Sequence, residues 1–345
     1  MKNEPVDWKE VFFRLRLGNN LNEVEARKLV EALLNEITNP LLLTGLLAGW
    51  QAKKAPTAEE VAGAVKAIRS NQQPIEIKPA GRLVDIVGTG GGDWSLFNIS
   101  TGTAFIAAAA GARVAKHCGG GISNNAGSTN VLDELGIVID KQPKELAIWL
   151  EECNLAFLPA KQFCPKLGKL TNIRRGLAIP TIFNYALPLA NPAKPSSAVI
   201  GVAEGIDERA LIKAIIDNRL IKRACLVRHE SGADELCLEG TTFVWEIRGG
   251  KLESYQLTAK DFGLSAIKNT DITVENVAAS AFVIKEVLGG GQTPHRPVLV
   301  ANAALALYVG GWTDDLKTGV LAAEAAIKSG KALKLYADLV TISSL

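Results

Sequence analysis

"VDIVGTGGGDWSLFNISTGTAF", residues 84–105, decides the fold. Val84 to Val87 reads as a strand. Gly88-Thr89-Gly90-Gly91-Gly92-Asp93 reads as a loop, and Asn98 to Thr101 as the start of an Ala-rich apolar helix. Glycines carry no side chain, so the backbone N–H groups of such a loop can approach a bulky anion. A helix N-terminus adds free N–H donors and a partial positive charge. Strand, glycine loop and hydroxyl-bearing helix start form the pattern of a phosphate cradle, with Ser100 and Thr101 at its floor. The next predicted strand, "ARVAKHC", carries Lys116 near its end and brings a full positive charge. A P-loop needs G-x-x-x-x-G-K-[ST], and no such string occurs. In the dinucleotide fingerprint Asp93 would occupy the third glycine position. Taken alone, the stretch leaves a ligand-free strand-to-helix turn open.

Two further loops narrow the reading. "KHCGGGISNNAGSTN" (116–130) again pairs glycines with small polar residues ahead of a helix, "VLDELG". "ESGADELCLEG" (230–240) puts Asp234 and Glu235 side by side in a glycine-flanked turn. By itself that pair is equally a solvated acidic turn. Paired acids in a loop also suit Mg²⁺, which takes oxygen ligands and bridges to substrate phosphates. Together the three loops point to a phosphorylated, Mg²⁺-chelating substrate.

Working outward, residues 1 to about 72 read as an all-helical unit. "NEVEARKLVEALLNEI" has apolar residues near helical spacing, with Asn22 as N-cap and Glu25 completing a capping box. Pro40 and Thr57 mark two further helix starts. From residue 80 short β-like runs alternate with helical stretches: "LVDIVG", "ARVAKHC", "AFLPA", "SAVIGV", "RACLVRH", "TTFVWEIRGG" and "KLESYQL". This predicts an α/β domain over 80–345 with a mostly parallel central sheet. The Pro-rich connection within 171–198 reads as a crossing back onto the helical unit. The last 70 or so residues return to helix.

The 345 residues carry a formal charge of +2, spread along the chain, which argues against nucleic acid as a partner. No apolar run reaches the roughly 18 residues of a membrane span. "MKNEPVDWKE" lacks a signal-peptide core. Five cysteines fall in no C-x-x-C pair, so a cytoplasmic chain with reduced thiols is expected. Only three histidines are present, too few for a His-rich metal site.

At this point the motifs resemble the anthranilate phosphoribosyltransferases, relatives of the pyrimidine nucleoside phosphorylases. The resemblance rests on "GTGGGDWSLFNIST", "KHCGGGISNNAGSTNVLDELG", "RRGLAIPTIFNYALPLANPA" and "GADE", and extends over essentially the whole chain. It implies a helical domain joined to a larger α/β domain of the nucleoside phosphorylase type, paired as a homodimer through the helical part. It implies Mg²⁺-dependent transfer of a phosphoribosyl group from phosphoribosyl pyrophosphate (PRPP) to the amine of anthranilate, a step of tryptophan biosynthesis. Carried over position by position, Gly88, Thr89, Gly90, Gly91 and Asp93 would wrap the pyrophosphate. Asn98, Ser100 and Thr101 would hold phosphates at the helix start, and Lys116 and Ser128 would complete the PRPP site. Asp234, Glu235 and Ser100 would bind Mg²⁺. Lys116 and His117 would serve catalysis, although no general base is assigned. His117, Gly119 and Arg174 would face the acceptor, with Arg174 on its carboxylate.

The departures from the family pattern concentrate on the acceptor side. Gly92 stands where the family has Asp, with Asp93 one place later. Leu96 replaces a Thr. Cys118-Gly119-Gly120 replaces Gly-Asn-Arg, which removes an amide that meets the acceptor. "KQFCPKLGK" replaces a His-Pro-Ala loop, Leu187 replaces a Gly, and Asn130 replaces an Asp. Three readings follow: an anthranilate phosphoribosyltransferase with an unusual acceptor pocket; the same chemistry on another aromatic acceptor; or a non-catalytic relative that binds a nucleotide, nucleic acid or protein.

Overall fold

The computed structural model describes residues 7–78, 81–90, 95–119 and 127–344. Four helices come first: α1 (Trp8–Arg16), α2 (Glu23–Asn35), α3 (Pro40–Gln51) and α4 (Ala58–Ser70). Their starts follow from the sequence. Asn22 Oδ1 accepts from Glu25 N–H at 2.9 Å, and the Glu25 carboxylate accepts from Asn22 N–H. Pro40 opens α3, and Thr57 caps α4 in a second capping box with Glu60.

The sheet is then built by β1 (Val84–Gly88), α5 (Ile99–Ala109), β2 (Val114–Cys118), α6 (Ser128–Glu134), α7 (Pro143–Cys153) and β3 (Leu155–Pro159). The connection that follows holds α8 (Ala160–Phe163), α9 (Gly168–Leu177) and α10 (Ile182–Ala186). Next come β4 (Ser197–Gly201), α11 (Glu208–Asp217), β5 (Arg223–His229), β6 (Thr242–Arg248) and β7 (Lys251–Leu257). Four helices close the chain: α12 (Val277–Leu288), α13 (His295–Gly310), α14 (Leu316–Lys328) and α15 (Lys331–Ser344).

The strand order is β3-β2-β1-β4-β5-β6-β7. The first five strands in that order run parallel, and β6 and β7 form an antiparallel hairpin at the edge. Its two-residue turn is Gly249-Gly250, both at positive φ, as the hairpin twist requires. The expected mostly parallel sheet is thus present, with each of the seven β-like runs forming one strand.

Successive side chains of a strand point to opposite faces, which divides the core in two. Val199, Cys225 and Val227 face the side packed by α5 and α13. Ala198, Ile200, Ala224 and Leu226 face the other side, in one apolar core with Leu33, Leu46 and Val65 of the helical unit. Leu170, Ile182, Phe183 and Tyr185 of the 168–186 connection lie in that second core too. Full burial of such a side chain stabilises the fold by about 1.5–3 kcal/mol.

Chain order also sets where a site can form. β1 sits between β2 and β4, and the chain leaves β3 to cross back to the far side of β1. That reversal opens a crevice at the carboxyl ends of β1 and β4, the usual ligand position in an open parallel sheet. The glycine loop begins there.

Candidate active site

The loop after β1 is pinned from three sides. Thr89 N–H donates to Gly201 O at 2.9 Å, and Ala203 N–H donates to Thr89 Oγ1 at 2.9 Å. Asn184 Nδ2 donates to Thr89 O at 3.0 Å. The need for bare glycine has a specific cause. A Cβ at Gly88 would lie 2.7 Å from Asp234 Oδ2, and one at Gly201 only 1.7 Å from Asp234 O. Gly90, at φ +66°, donates its N–H to Asp234 Oδ2 at 3.2 Å. The glycines let the acidic turn press against the ends of β1 and β4.

The acidic pair and the start of α5 meet at the same place. The Ser100 backbone N–H hydrogen-bonds the Glu235 carboxylate. Lys116 Nζ donates to Ser100 Oγ at 3.1 Å and to Ile86 O at 2.6 Å, and Lys116 is buried. Burial first, and the neighbouring Asp234 second, push the Glu235 carboxyl up to about 8. Burial also raises Asp234, against the opposing pull of the Gly90 N–H and Lys116. Two adjacent carboxyls, both raised by burial and Glu235 raised further by Asp234, form a site a cation would relieve. Among the described residues no group of three or more His, Cys, Asp or Glu side chains could hold a metal. Two carboxylates and a hydroxyl fit Mg²⁺ nonetheless, since it keeps several waters and binds through one or two carboxylates plus substrate oxygens.

Other expected donor-side residues fall as follows. Asn98 precedes α5, and its backbone N–H donates to Ser280 Oγ at 2.8 Å. Thr101 is fully buried, and its hydroxyl has no partner among the described residues. Ser128 is the first residue of α6 and is half-buried. Gly91 and Asp93 lie outside the described residues.

Lys116 and His117 are neighbours on β2, so their side chains leave the sheet on opposite faces. His117 turns toward the helical side, where Nδ1 lies 3.0 Å from Leu187 O and Nε2 is buried without a partner. Burial, with the charges of Lys116 and Arg69 behind it, pushes its pKa down to about 4. The ring is therefore neutral at physiological pH and a poor proton acceptor. It suits hydrogen bonding, not general-base work.

Arg174 lies in the last turn of α9 and is buried, its guanidinium 5.4 Å over the Phe183 ring. Nη2 donates to Asn184 Oδ1 at 3.2 Å, while Nε is buried with no partner among the described residues. Among the described residues no carboxylate pairs with it, and burial lowers its pKa to about 9. A buried cation held against its own desolvation is a receptor for an anion. Gly119 is exposed, and among the described residues a Cβ there would meet nothing within 4 Å. Leu187 is half-buried, its carbonyl engaged by His117.

Sequence reasoning missed three buried polar residues. Asp85 accepts from His117 N–H at 3.0 Å and from Asn191 Nδ2 at 2.8 Å. Asn191 also donates to Ala115 O at 2.7 Å, tying the connection to β1 and β2. Asn184 joins Arg174 to the glycine loop. The available signal was a lone polar residue inside an apolar run, as in "VDIVG" and "TIFNYA".

Comparison with known proteins agrees with this geometry. Residues 9–71 match the glycosyl transferase family helical bundle domain, and residues 80–333 match the glycosyl transferase family a/b domain. An anthranilate phosphoribosyltransferase of Nitrosospira multiformis is 34% identical over 340 residues, covering 97% of this chain and 96% of its own. One of Xylella fastidiosa is 36% identical over 309 residues, 89% of each chain. The crystal structure of the Thermus thermophilus anthranilate phosphoribosyltransferase superposes with a TM-score of 0.88 at 31% identity, covering 97% of this chain and 99% of that one.

Proposed function

The chain belongs to the anthranilate phosphoribosyltransferase family, and we propose that it transfers the phosphoribosyl group of PRPP to the amine of anthranilate, with release of pyrophosphate, as a step of tryptophan biosynthesis. One observation supports this reading above the rest. An anion-receiving loop with an acidic pair is bonded, through Asn184, to a buried guanidinium that has no counter-ion. The first suits a Mg²⁺-chelated pyrophosphate. The second suits an aromatic carboxylate.

Asp234, Glu235 and Ser100 are the residues that would hold Mg²⁺, which neutralises charge on the leaving pyrophosphate when bound. A structure of the Saccharomyces cerevisiae anthranilate phosphoribosyltransferase, 24% identical with a TM-score of 0.87, contains PRPP and Mg. In the reaction the bond from ribose C1 to the pyrophosphate oxygen breaks, and the amine nitrogen bonds to C1 and loses a proton. The α5 N-terminus and the Lys116 ammonium would stabilise negative charge as it develops on the leaving group, with the Gly90 N–H holding Asp234 beside them. An aniline nitrogen is neutral at pH 7, so orientation carries the acceptor half. Arg174 would fix the carboxylate, with the neutral His117 ring on the same face of the sheet.

A second reading, another aromatic acid as acceptor, is favoured by one feature, the open space at Gly119 where the family carries an amide. Pyrophosphate release from PRPP and Mg²⁺, followed with anthranilate and then with other aromatic acids and amines, separates the two. Release with anthranilate supports the first; release only with another acid replaces it.

The assembly we propose is a homodimer through the helical unit. Its helices expose Phe13, Leu17, Val24 and, at 83%, Leu41. Leu41→Glu should shift sedimentation to the monomer, and an unchanged dimer would place the interface elsewhere. A cytoplasmic location fits the five free cysteines. Among the described residues no helix is long and apolar enough to cross a membrane.

A further inference from the structure

The Thr89–Gly90 peptide group is gripped at both ends. Its carbonyl accepts from Asn184 Nδ2 at 3.0 Å, and its N–H donates to Asp234 Oδ2 at 3.2 Å. Gly90 sits at φ +66°, in the region only glycine enters freely, so this peptide has an alternative orientation within reach. Turned over, it would aim a carbonyl oxygen at the acidic pair and remove the anion-binding N–H. The Asn184 amide opposes that turn.

The other end of the same amide faces the acceptor side. Asn184 Oδ1 accepts from Arg174 Nη2 at 3.2 Å, and from Thr181 N–H at 2.9 Å and Thr181 Oγ1 at 3.3 Å. Those three donors fix which way round the amide lies, because Oδ1 is committed to them and only the NH₂ group is left for Thr89. Asn184 is buried, so no water substitutes for either contact at low cost. A continuous path therefore runs from the Arg174 guanidinium through one side-chain amide and one backbone peptide to the Asp234 carboxylate.

We propose that Asn184 is a positioning residue that couples the two substrate sites. It sets the donor-side peptide and is itself oriented by the acceptor-side arginine. The proposal rests on the reading of Arg174 as the acceptor's anchor. An acceptor carboxylate drawing Arg174 toward itself changes the Asn184 contact. That contact bears on how firmly the Gly90 N–H holds Asp234, a proposed Mg²⁺ ligand of the pyrophosphate site, in place. Coupling of this kind is reciprocal: each ligand alters the other's affinity by the same factor.

The test measures anthranilate binding by its fluorescence, with and without Mg²⁺-pyrophosphate, so that no turnover occurs. Wild type should show a ratio of dissociation constants of about fivefold or more. Asn184→Ala should bring the ratio within about twofold of one. A purely structural role would lower the melting temperature and leave the ratio intact. Should Asn184→Ala fail to fold, Asn184→Asp serves. It keeps an oxygen for Arg174 and Thr181 but has no N–H for Thr89 O, and it too should lose the coupling. A wild-type ratio near one, or a ratio that survives in the variant measured, overturns the proposal. Arg174→Met separates the two failures. If it leaves anthranilate binding unchanged, the reading of Arg174 falls; if it weakens binding while Asn184→Ala keeps the ratio, only the coupling falls.

Discussion

The two sides of the cleft handle charge in opposite ways. On the donor side Asp234 and Glu235 lie against N–H donors, and Lys116 balances part of their charge from the strand below. On the acceptor side one guanidinium, that of Arg174, is buried with a neutral amide and an aromatic ring for company. The donor side is dense and internally cross-linked. On the other side, among the described residues, Arg174 is a buried cation with no carboxylate paired to it. On the proposed function, selectivity for PRPP would rest on backbone geometry, and selectivity for the acceptor on few side chains.

The largest effect should come from removing the acidic pair. Asp234→Asn with Glu235→Gln should lower kcat/KM by about a thousandfold and raise the Mg²⁺ requirement. An unaltered Mg²⁺ titration would return the pair to the role of a solvated turn and erase the contrast.

Arg174→Met comes next. The acceptor KM should rise about 10- to 100-fold, the scale of a lost charged hydrogen bond, while the PRPP KM shifts only by the smaller coupling carried through Asn184. Because no carboxylate among the described residues pairs with the buried charge, the melting temperature should hold or rise. A fall in both stability and PRPP affinity would mean that Arg174 is structural.

A third expectation concerns pH. The carboxyl of Glu235 sits at about 8 in the fold, above its ordinary value. As pH rises from about 4.5 toward 8 the unfolded chain releases this proton first, so the native state binds more protons and stability declines through that window. Chemical denaturation of the ligand-free protein should show the decline. Glu235→Gln should flatten it, and Mg²⁺ should oppose it at pH 8. A stability that rises across the same window would contradict the account of the pair.

The smallest effect is the most specific. Gly119→Asn adds an amide where nothing stands within 4 Å of a Cβ. The anthranilate KM should fall several-fold, on the order of one hydrogen bond, with the PRPP KM unchanged. No change would show that another group already serves the acceptor.

Much of this was legible in the sequence because it rests on short-range rules. The capping box at Asn22 and Glu25, the proline start of α3 and the alternation of strands with helices need only local pattern. The glycine loop was legible as an anion receptor, and "ADE" as an oxygen pair. Their meeting was expected from the three loops read together and from the family resemblance, but its geometry was not legible, since Gly88 and Asp234 are brought together by the register of β1 against β4 and β5. Asn184 was hidden for a similar reason. Inside "TIFNYA" it looks like a helix-capping residue, and it is one, but its free NH₂ reaches Thr89 across the cleft. His117 shows the limit from the other side. Its place beside Lys116 in "KHC" suggests shared chemistry, and strand alternation sends the two to opposite faces.

The measurement that bears most directly on the central claim is a fluorescence assay with anthranilate, PRPP and Mg²⁺. The account predicts a steady, PRPP-dependent loss of anthranilate signal that disappears when Mg²⁺ is withdrawn. A signal that stays constant, while PRPP and Mg²⁺ still raise the melting temperature, would contradict anthranilate as the acceptor and leave the donor site standing alone.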